Sequence, residues 1–163
     1  RLLNPPSDFD VDRFLDSLAP WFEVTEEQGD LLARINRESG CAIGMALAGG
    51  VNYLLRLKDI DRTELLGDEH GPAWRDLDVS VLHGGILERA LGLPADAELL
   101  YEKDPAAALS MVAEGERGMA FFLRNMHPAQ VCACADANEF MPQKATYFFP
   151  KLPSGAVFRQ FAE

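Results

Sequence analysis

The chain has 163 residues, of which 48% are hydrophobic and 25% are charged. This length and apolar content predict one folded domain with a sizeable core, and no apolar run reaches the roughly 20 residues that a membrane-spanning helix requires. The net charge of −11 would repel a nucleic-acid backbone over most of the surface. The composition therefore excludes a disordered chain and argues against nucleic-acid and membrane partners.

The three cysteines form an odd set, and no secretory segment is evident. We therefore expect reduced thiols and a cytoplasmic location. The chain opens on Arg1 without an initiator methionine, so we expect it to be a piece of a longer protein. Cys132 and Cys134 lie two positions apart on a predicted helix, so their side chains point about 200° apart and no metal site is expected there.

The first third of the chain predicts a helix, a strand and a second helix, which lie at Val11–Leu18, 21–25 and 26–38. Asp8 or Asp10 is the expected N-cap of the first helix, because a short carboxylate side chain can accept a hydrogen bond from a free amide of the first turn. Gly40 is expected to end the second helix in a left-handed conformation.

Two apolar runs, at 41–48 and Val51–Leu57, predict a β-hairpin. Gly49 and Gly50 separate them and supply the positive φ angles of a two-residue turn. Strand alternation places Arg56 on the face opposite Tyr53. Arg56 is therefore a candidate anion ligand, and the alternative is a side chain that is merely solvated.

The middle of the chain predicts a polar loop at 61–70, with one short helical turn, followed by a longer helix to position 91. Asp76 or Asp78 is the expected N-cap of that helix. Gly84 and Gly85 lie inside it, and each costs about 1 kcal/mol relative to alanine. We therefore expect another part of the molecule, or a ligand, to pack closely on that turn.

The remaining elements are strands and helices that alternate along the chain. Strands are predicted at 99–101, 119–123 and 156–161, and helices at 106–114 and 128–137. Helices and strands intermixed with one hairpin predict an α+β fold, in which helices cover a mixed β-sheet.

The most distinctive stretch lies at 141–155, because it is basic, aromatic and restricted by three prolines within an acidic chain. Lys144 and Lys151 offer ammonium groups, and Thr146 and Tyr147 offer hydroxyl groups. These donors suit a carboxylate or a phosphate, and a restricted loop loses little entropy when it binds. In the alternative interpretation, the aromatic residues anchor an edge segment and both lysines lie in water.

Two further places are candidates for chemistry. His83 lies five positions after Asp78, whose carboxylate could orient the imidazole for proton transfer if the helix start curls back. Asn125 follows a buried strand together with Arg124, and ligands in sheet proteins often meet strand ends. The alternative for His83 is a residue at the edge of the core whose polar atoms already have hydrogen-bond partners. The alternative for Asn125 is a place in an exposed connector.

Three segments resemble the prokaryotic family called domain of unknown function 1015. They are 141–151 with Ser154 and Gly155, 77–83, and 53–58. Members of that family are more than twice this length, and this chain is similar to their C-terminal part. The family motif commonly has Ser where this chain has Ala145, so any role of that hydroxyl would be lost here.

The family name carries no established activity, so the resemblance implies a shared architecture without a substrate. The chain matches the family's motif positions at Lys144, Thr146, Tyr147, Lys151, Asp78 and His83.

No nucleophile with its base, metal cluster or phosphate loop is recognisable, so the sequence names neither a reaction nor a cofactor. The leading hypothesis is an anion-binding domain of a cytosolic metabolic enzyme that acts on a phosphorylated or carboxylated small molecule. The lysines at 144 and 151 would neutralise the anion, and His83 would carry a proton. The alternative is a non-catalytic interaction or homo-oligomerisation module that docks through its C-terminal aromatic residues.

Overall fold

The structure, a computed structural model of the chain, describes residues 1–146. The strands of this part are β1 (Leu2–Leu3), β2 (Phe22–Glu26), β3 (Ala42–Leu47), β4 (Val51–Leu57) and β5 (Met119–Phe122). The α-helices are α1 (Val11–Leu18), α2 (Leu31–Arg37), α3 (Arg62–Leu66), α4 (Pro72–Arg75), α5 (Asp78–Ser80), α6 (Pro105–Ala113) and α7 (Pro128–Asp136). A π-helix at Val81–Ala90 continues α5 directly.

The strands form one sheet in the order β1-β5-β3-β4-β2. The predicted α+β class and the hairpin of β3 and β4 are confirmed. Every strand pairing within residues 1–146 is antiparallel, so the sheet is not mixed in this part of the chain. Leu47 pairs with Val51, so the turn has three residues rather than two, and its two glycines have φ angles of 97° and 85°.

Helices cover both faces of the sheet, because the central strands are apolar on both sides. One face packs against α1, α3 and the π-helix, and the other packs against α2 and α6. The first core includes Phe14, Leu18, Ile43, Leu55, Ile86 and Phe121. The second core includes Leu31, Ile35, Ala46, Leu54, Val112 and Phe122. All six residues of β3 are buried, as its central place in the sheet requires.

Local hydrogen bonds fix the helix starts that the sequence predicts. Asp10 caps α1, because its Oδ1 accepts a hydrogen bond of 2.8 Å from the backbone N–H of Arg13. Asp104 caps α6 in the same way through the N–H of Ala106. The predicted helices at Val11–Leu18, 106–114 and 128–137 are therefore confirmed to within one residue at either end.

The predicted start of the second helix is wrong, and so is the predicted cap at Gly40. Strand β2 runs through Glu26, and α2 starts only after Asp30, whose Oδ1 accepts hydrogen bonds of 3.0 Å from the N–H groups of Leu32 and Ala33. The helix ends at Arg37, and the extended Glu38 leads the chain towards β3. Gly40 does not have a positive φ, because the helix ends before it.

The aspartate caps predicted for the third long helix are also wrong. Leu77 is the N-cap of α5 and has no polar side-chain atom that could cap the helix, and the carboxylate of Asp78 bonds Arg124 instead. Gly92, with φ 66°, follows the π-helix at the predicted end.

The strand predicted at 99–101 is reduced to a single bridge between Leu100 and Leu2. The strand predicted at 156–161 lies outside the described residues.

Candidate anion site around His83

His83 lies in the π-helix and is half-buried. Its Nε2 is buried and finds no hydrogen-bond partner among residues 1–146. The pKa of the imidazole is lowered from 6.5 to about 4, mainly by burial and next by the positive charge of Arg1. The imidazole is therefore neutral at pH 7 and keeps an unused polar atom.

Arg1 provides a positive charge that acts on His83. Its backbone pairs with Phe121, by hydrogen bonds of 2.9 and 2.7 Å, which fixes it at the edge of the sheet. Its guanidinium lies 4.6 Å from the ring centroid of Tyr101, a cation–π contact. The Nε of Arg1 is buried, and the described part of the chain offers it no hydrogen-bond partner. Burial is also the main reason why the pKa of this guanidinium is lowered.

Arg1 makes no ion pair with a carboxylate within residues 1–146. Half-buried charges are normally paired, because the loss of hydration is otherwise uncompensated. The guanidinium of Arg1 is therefore suited to an anion supplied from outside.

Arg1 also connects His83 with the basic segment that the sequence singled out. Its Nη2 donates a hydrogen bond of 2.9 Å to the backbone oxygen of Lys144. Lys144 has φ 56° and, like Thr146, is exposed. Tyr147 and Lys151 lie outside the described residues. The start of the segment thus adjoins the Arg1 guanidinium, and the ammonium of Lys144 remains accessible.

Asp78 is engaged elsewhere. Its Oδ2 accepts hydrogen bonds from Nη2 (2.8 Å) and Nε (3.1 Å) of Arg124, whose Nη1 donates to the backbone oxygen of Glu38 at 2.9 Å. The pKa of the Cys41 thiol is raised, mainly by burial and secondly by the charge of Asp78. This cysteine is therefore not a nucleophile at neutral pH. The structure does not bring Asp78 to the Nε2 of His83, and it leaves Asn125 exposed.

Arg56 lines a separate recess of about 290 Å³ between the ends of β3 and β4. Its Nη2 lies 3.2 Å from the carboxylate of Glu23, and its Nη1 lies 3.9 Å from that of Glu38. Glu38 is also 2.8 Å from Nη1 of Arg34. Neither His83 nor Lys144 lines this recess. Since the charges there already neutralise one another, Arg56 is less suited to an external anion than Arg1.

The other two histidines have structural contacts. The Nδ1 of His70 lies 2.9 Å from Oε2 of Glu139, and its ring stacks on Trp74 at a centroid distance of 4.1 Å. The pKa of Glu139 is lowered, mainly by its hydrogen bond from the N–H of Gly71 and secondly by its hydrogen bond with His70. His127 caps α7 through its Nδ1. Both histidines therefore serve structural contacts within residues 1–146.

Sequence reasoning missed Arg1 and Tyr101 as members of the site. Neither belongs to a motif, and they meet only because Leu2 bridges to Leu100. The pairing of Asp78 with Arg124 was also missed, although the position of Arg124 at a strand end marked it as a polar residue of interest.

Comparison of this chain with protein-family models, curated proteins and solved structures finds no match. The resemblance to domain of unknown function 1015 therefore stays a prediction. Within residues 1–146, no helix has the length and apolar character needed to cross a membrane. The same residues contain no group of three or more metal-ligating side chains that could hold an ion.

Proposed function

We propose that this chain binds an anionic small molecule, phosphorylated or carboxylated, next to Arg1, His83 and Lys144. The observation that carries the proposal is the half-buried guanidinium of Arg1, which has no carboxylate partner within residues 1–146. An anion there would compensate the buried charge and accept charge-assisted hydrogen bonds. The ammonium of Lys144 is free to turn towards the same anion because it is exposed.

His83 supplies the proton chemistry in this proposal. A neutral imidazole offers one nitrogen as an acceptor and the other as a donor. A bound anion stabilises the protonated form, so binding raises the pKa of His83 from about 4. His83 can transfer protons efficiently at neutral pH only if its pKa is closer to 7. In this proposal the setting is a cytosolic metabolic enzyme. Nucleic acid is not the expected anion, because a protein of net charge −11 would repel it.

The test is a titration of the full chain with inorganic phosphate, followed through the imidazole signals in NMR spectra at several pH values. We expect a Kd on the order of 1 mM and a rise in the pKa of His83 when phosphate is bound. Arg1→Gln should weaken phosphate binding at least about tenfold, and Lys144→Ala about threefold.

Arg56→Gln is the matched control, because Arg56 is also a partly exposed arginine but is paired with glutamates. Its phosphate affinity should equal that of the unaltered chain. If phosphate leaves the His83 signals unchanged, or if Arg56→Gln weakens binding as much as Arg1→Gln, the proposed site is wrong.

The alternative function is a non-catalytic interaction or homo-oligomerisation module. One observation favours it: Phe140 is 92% exposed, although it is a large apolar residue just before the aromatic C-terminal segment. Light scattering after size exclusion separates the two functions. A stable dimer that Phe140→Ser dissociates, in a protein without a phosphate response, would favour this alternative.

A further inference from the structure

The π-helix at Val81–Ala90 is an unusual support for a site residue. Its end is marked by a hydrogen bond of 2.9 Å from the N–H of Leu91 to the oxygen of Ile86, five residues back. Such bonds usually occur in single-turn bulges inside α-helices, and often at functional sites. A run of 10 residues therefore calls for contacts that stabilise it.

Helix α3 makes such contacts, at the two glycines next to His83. A Cβ atom at Gly85 would lie 3.0 Å from Cδ2 of Leu65, and one at Gly84 would lie 3.0 Å from Cδ2 of Leu66. These distances are shorter than ordinary carbon contacts, so a side chain at either position would require the leucine of α3 to shift by a few tenths of an ångström. The close approach expected from the sequence is therefore made by α3.

Arg89 fixes the same contact from the other end of the π-helix. Its Nη1 donates hydrogen bonds of 2.7 Å and 3.1 Å to the backbone oxygens of Glu64 and Leu65, in the last turn of α3. Its guanidinium also lies 4.7 Å from the ring centroid of Trp21. The π-helix is thus attached to α3 both by close packing and by directional bonds.

We infer that α3 is the support that holds the turn around His83, with Gly85 and Arg89 as positioning residues for the imidazole. The inference deepens the proposed function, because it rests on His83 as a residue of the anion site. Loosening the contact with α3 should let the turn relax, expose the imidazole and move it away from Arg1. Exposure reduces the effect of burial, and distance reduces the effect of the Arg1 charge, so the pKa of His83 should rise.

The test compares Gly85→Ala with Gly84→Ala in the full chain. Leu65 is 3% exposed and has no room to move, whereas Leu66 is half-buried and can turn its end away. Gly85→Ala should therefore raise the pKa of His83 in the ligand-free protein by about one pH unit and weaken phosphate binding about tenfold. Gly84→Ala should leave both quantities nearly unchanged.

Arg89→Gln gives a second route, in case Gly85→Ala does not fold. Arg89 is exposed, and its replacement removes the bonds to α3 without opening a cavity. We expect the pKa of His83 to rise again, and Arg89→Lys to restore part of the effect. A folded Arg89→Gln protein with an unchanged pKa of His83 would overturn the inference.

The ligand-free pKa also separates the two proposals. If phosphate does not bind the unaltered chain, and Gly85→Ala or Arg89→Gln still raises the pKa of His83, the anion site fails while the positioning by α3 stands.

Discussion

The low pKa of His83 makes folding stability depend on pH in a defined direction. The folded pKa of about 4 lies below the ordinary value of 6.5, so between these values the unfolded chain binds more protons at this position. The stabilisation is fully present above about pH 6.5 and is lost as the pH falls to about 4. His83→Gln removes the titrating group and should abolish this part of the pH dependence.

The magnitude follows from the two pKa values. A lowering from 6.5 to about 4 corresponds to at most about 3.4 kcal/mol of stability. Because the imidazole is only half-buried, solvent screening reduces this to about 1.5 kcal/mol. The free energy of unfolding of the unaltered chain should therefore fall by about 1.5 kcal/mol more than that of His83→Gln between pH 7 and pH 4.

Urea unfolding, followed by the fluorescence of the two tryptophans, measures both proteins across this range. The carboxylates and the other two histidines are common to both proteins, so their contributions cancel in the difference. An NMR titration of the imidazole signals gives the pKa directly. If the difference between the two proteins does not vary with pH, or if the pKa of His83 lies near 6.5, the burial argument is refuted.

Two further predictions concern stability. Asp10→Ala should lower the free energy of unfolding by about 1 kcal/mol, because it removes the N-cap bond to Arg13, whereas Asp8→Ala at the exposed neighbouring ion pair should have little effect. Equal costs in urea unfolding would contradict the assignment of the cap. Arg124→Met should cost about 2–3 kcal/mol, because it leaves Asp78 largely buried and unpaired. The double variant Arg124→Met/Asp78→Leu should recover part of that loss, and a loss equal to the sum of both single variants would count against the pair.

In the part of the chain that the structure describes, no carboxylate lies within ion-pair distance of Arg1. Carboxylates pair with other arginines of the chain. Arg34, Arg56 and Arg124 each lie within ion-pair distance of a carboxylate. Arg1 contacts a carbonyl and an aromatic ring instead. Neither contact neutralises its charge, so the guanidinium of Arg1 keeps the capacity to bind an anion.

The sequence determined the parts of this structure whose causes are local. The cap at Asp10 joins residues three positions apart, and the glycine turn joins two adjacent apolar runs. Such features depend on a few consecutive residues, so residue type and spacing are enough to predict them. The α+β class follows from their order along the chain.

The tertiary structure alone decided the candidate site. The bond from Arg1 to Lys144 spans 143 positions, and that from Arg124 to Asp78 spans 46. No periodicity encodes such pairs, because they depend on how the strands are ordered and on which helix covers each face. The conversion of the predicted α-helix around His83 into a π-helix has the same origin, since it accompanies close packing against α3.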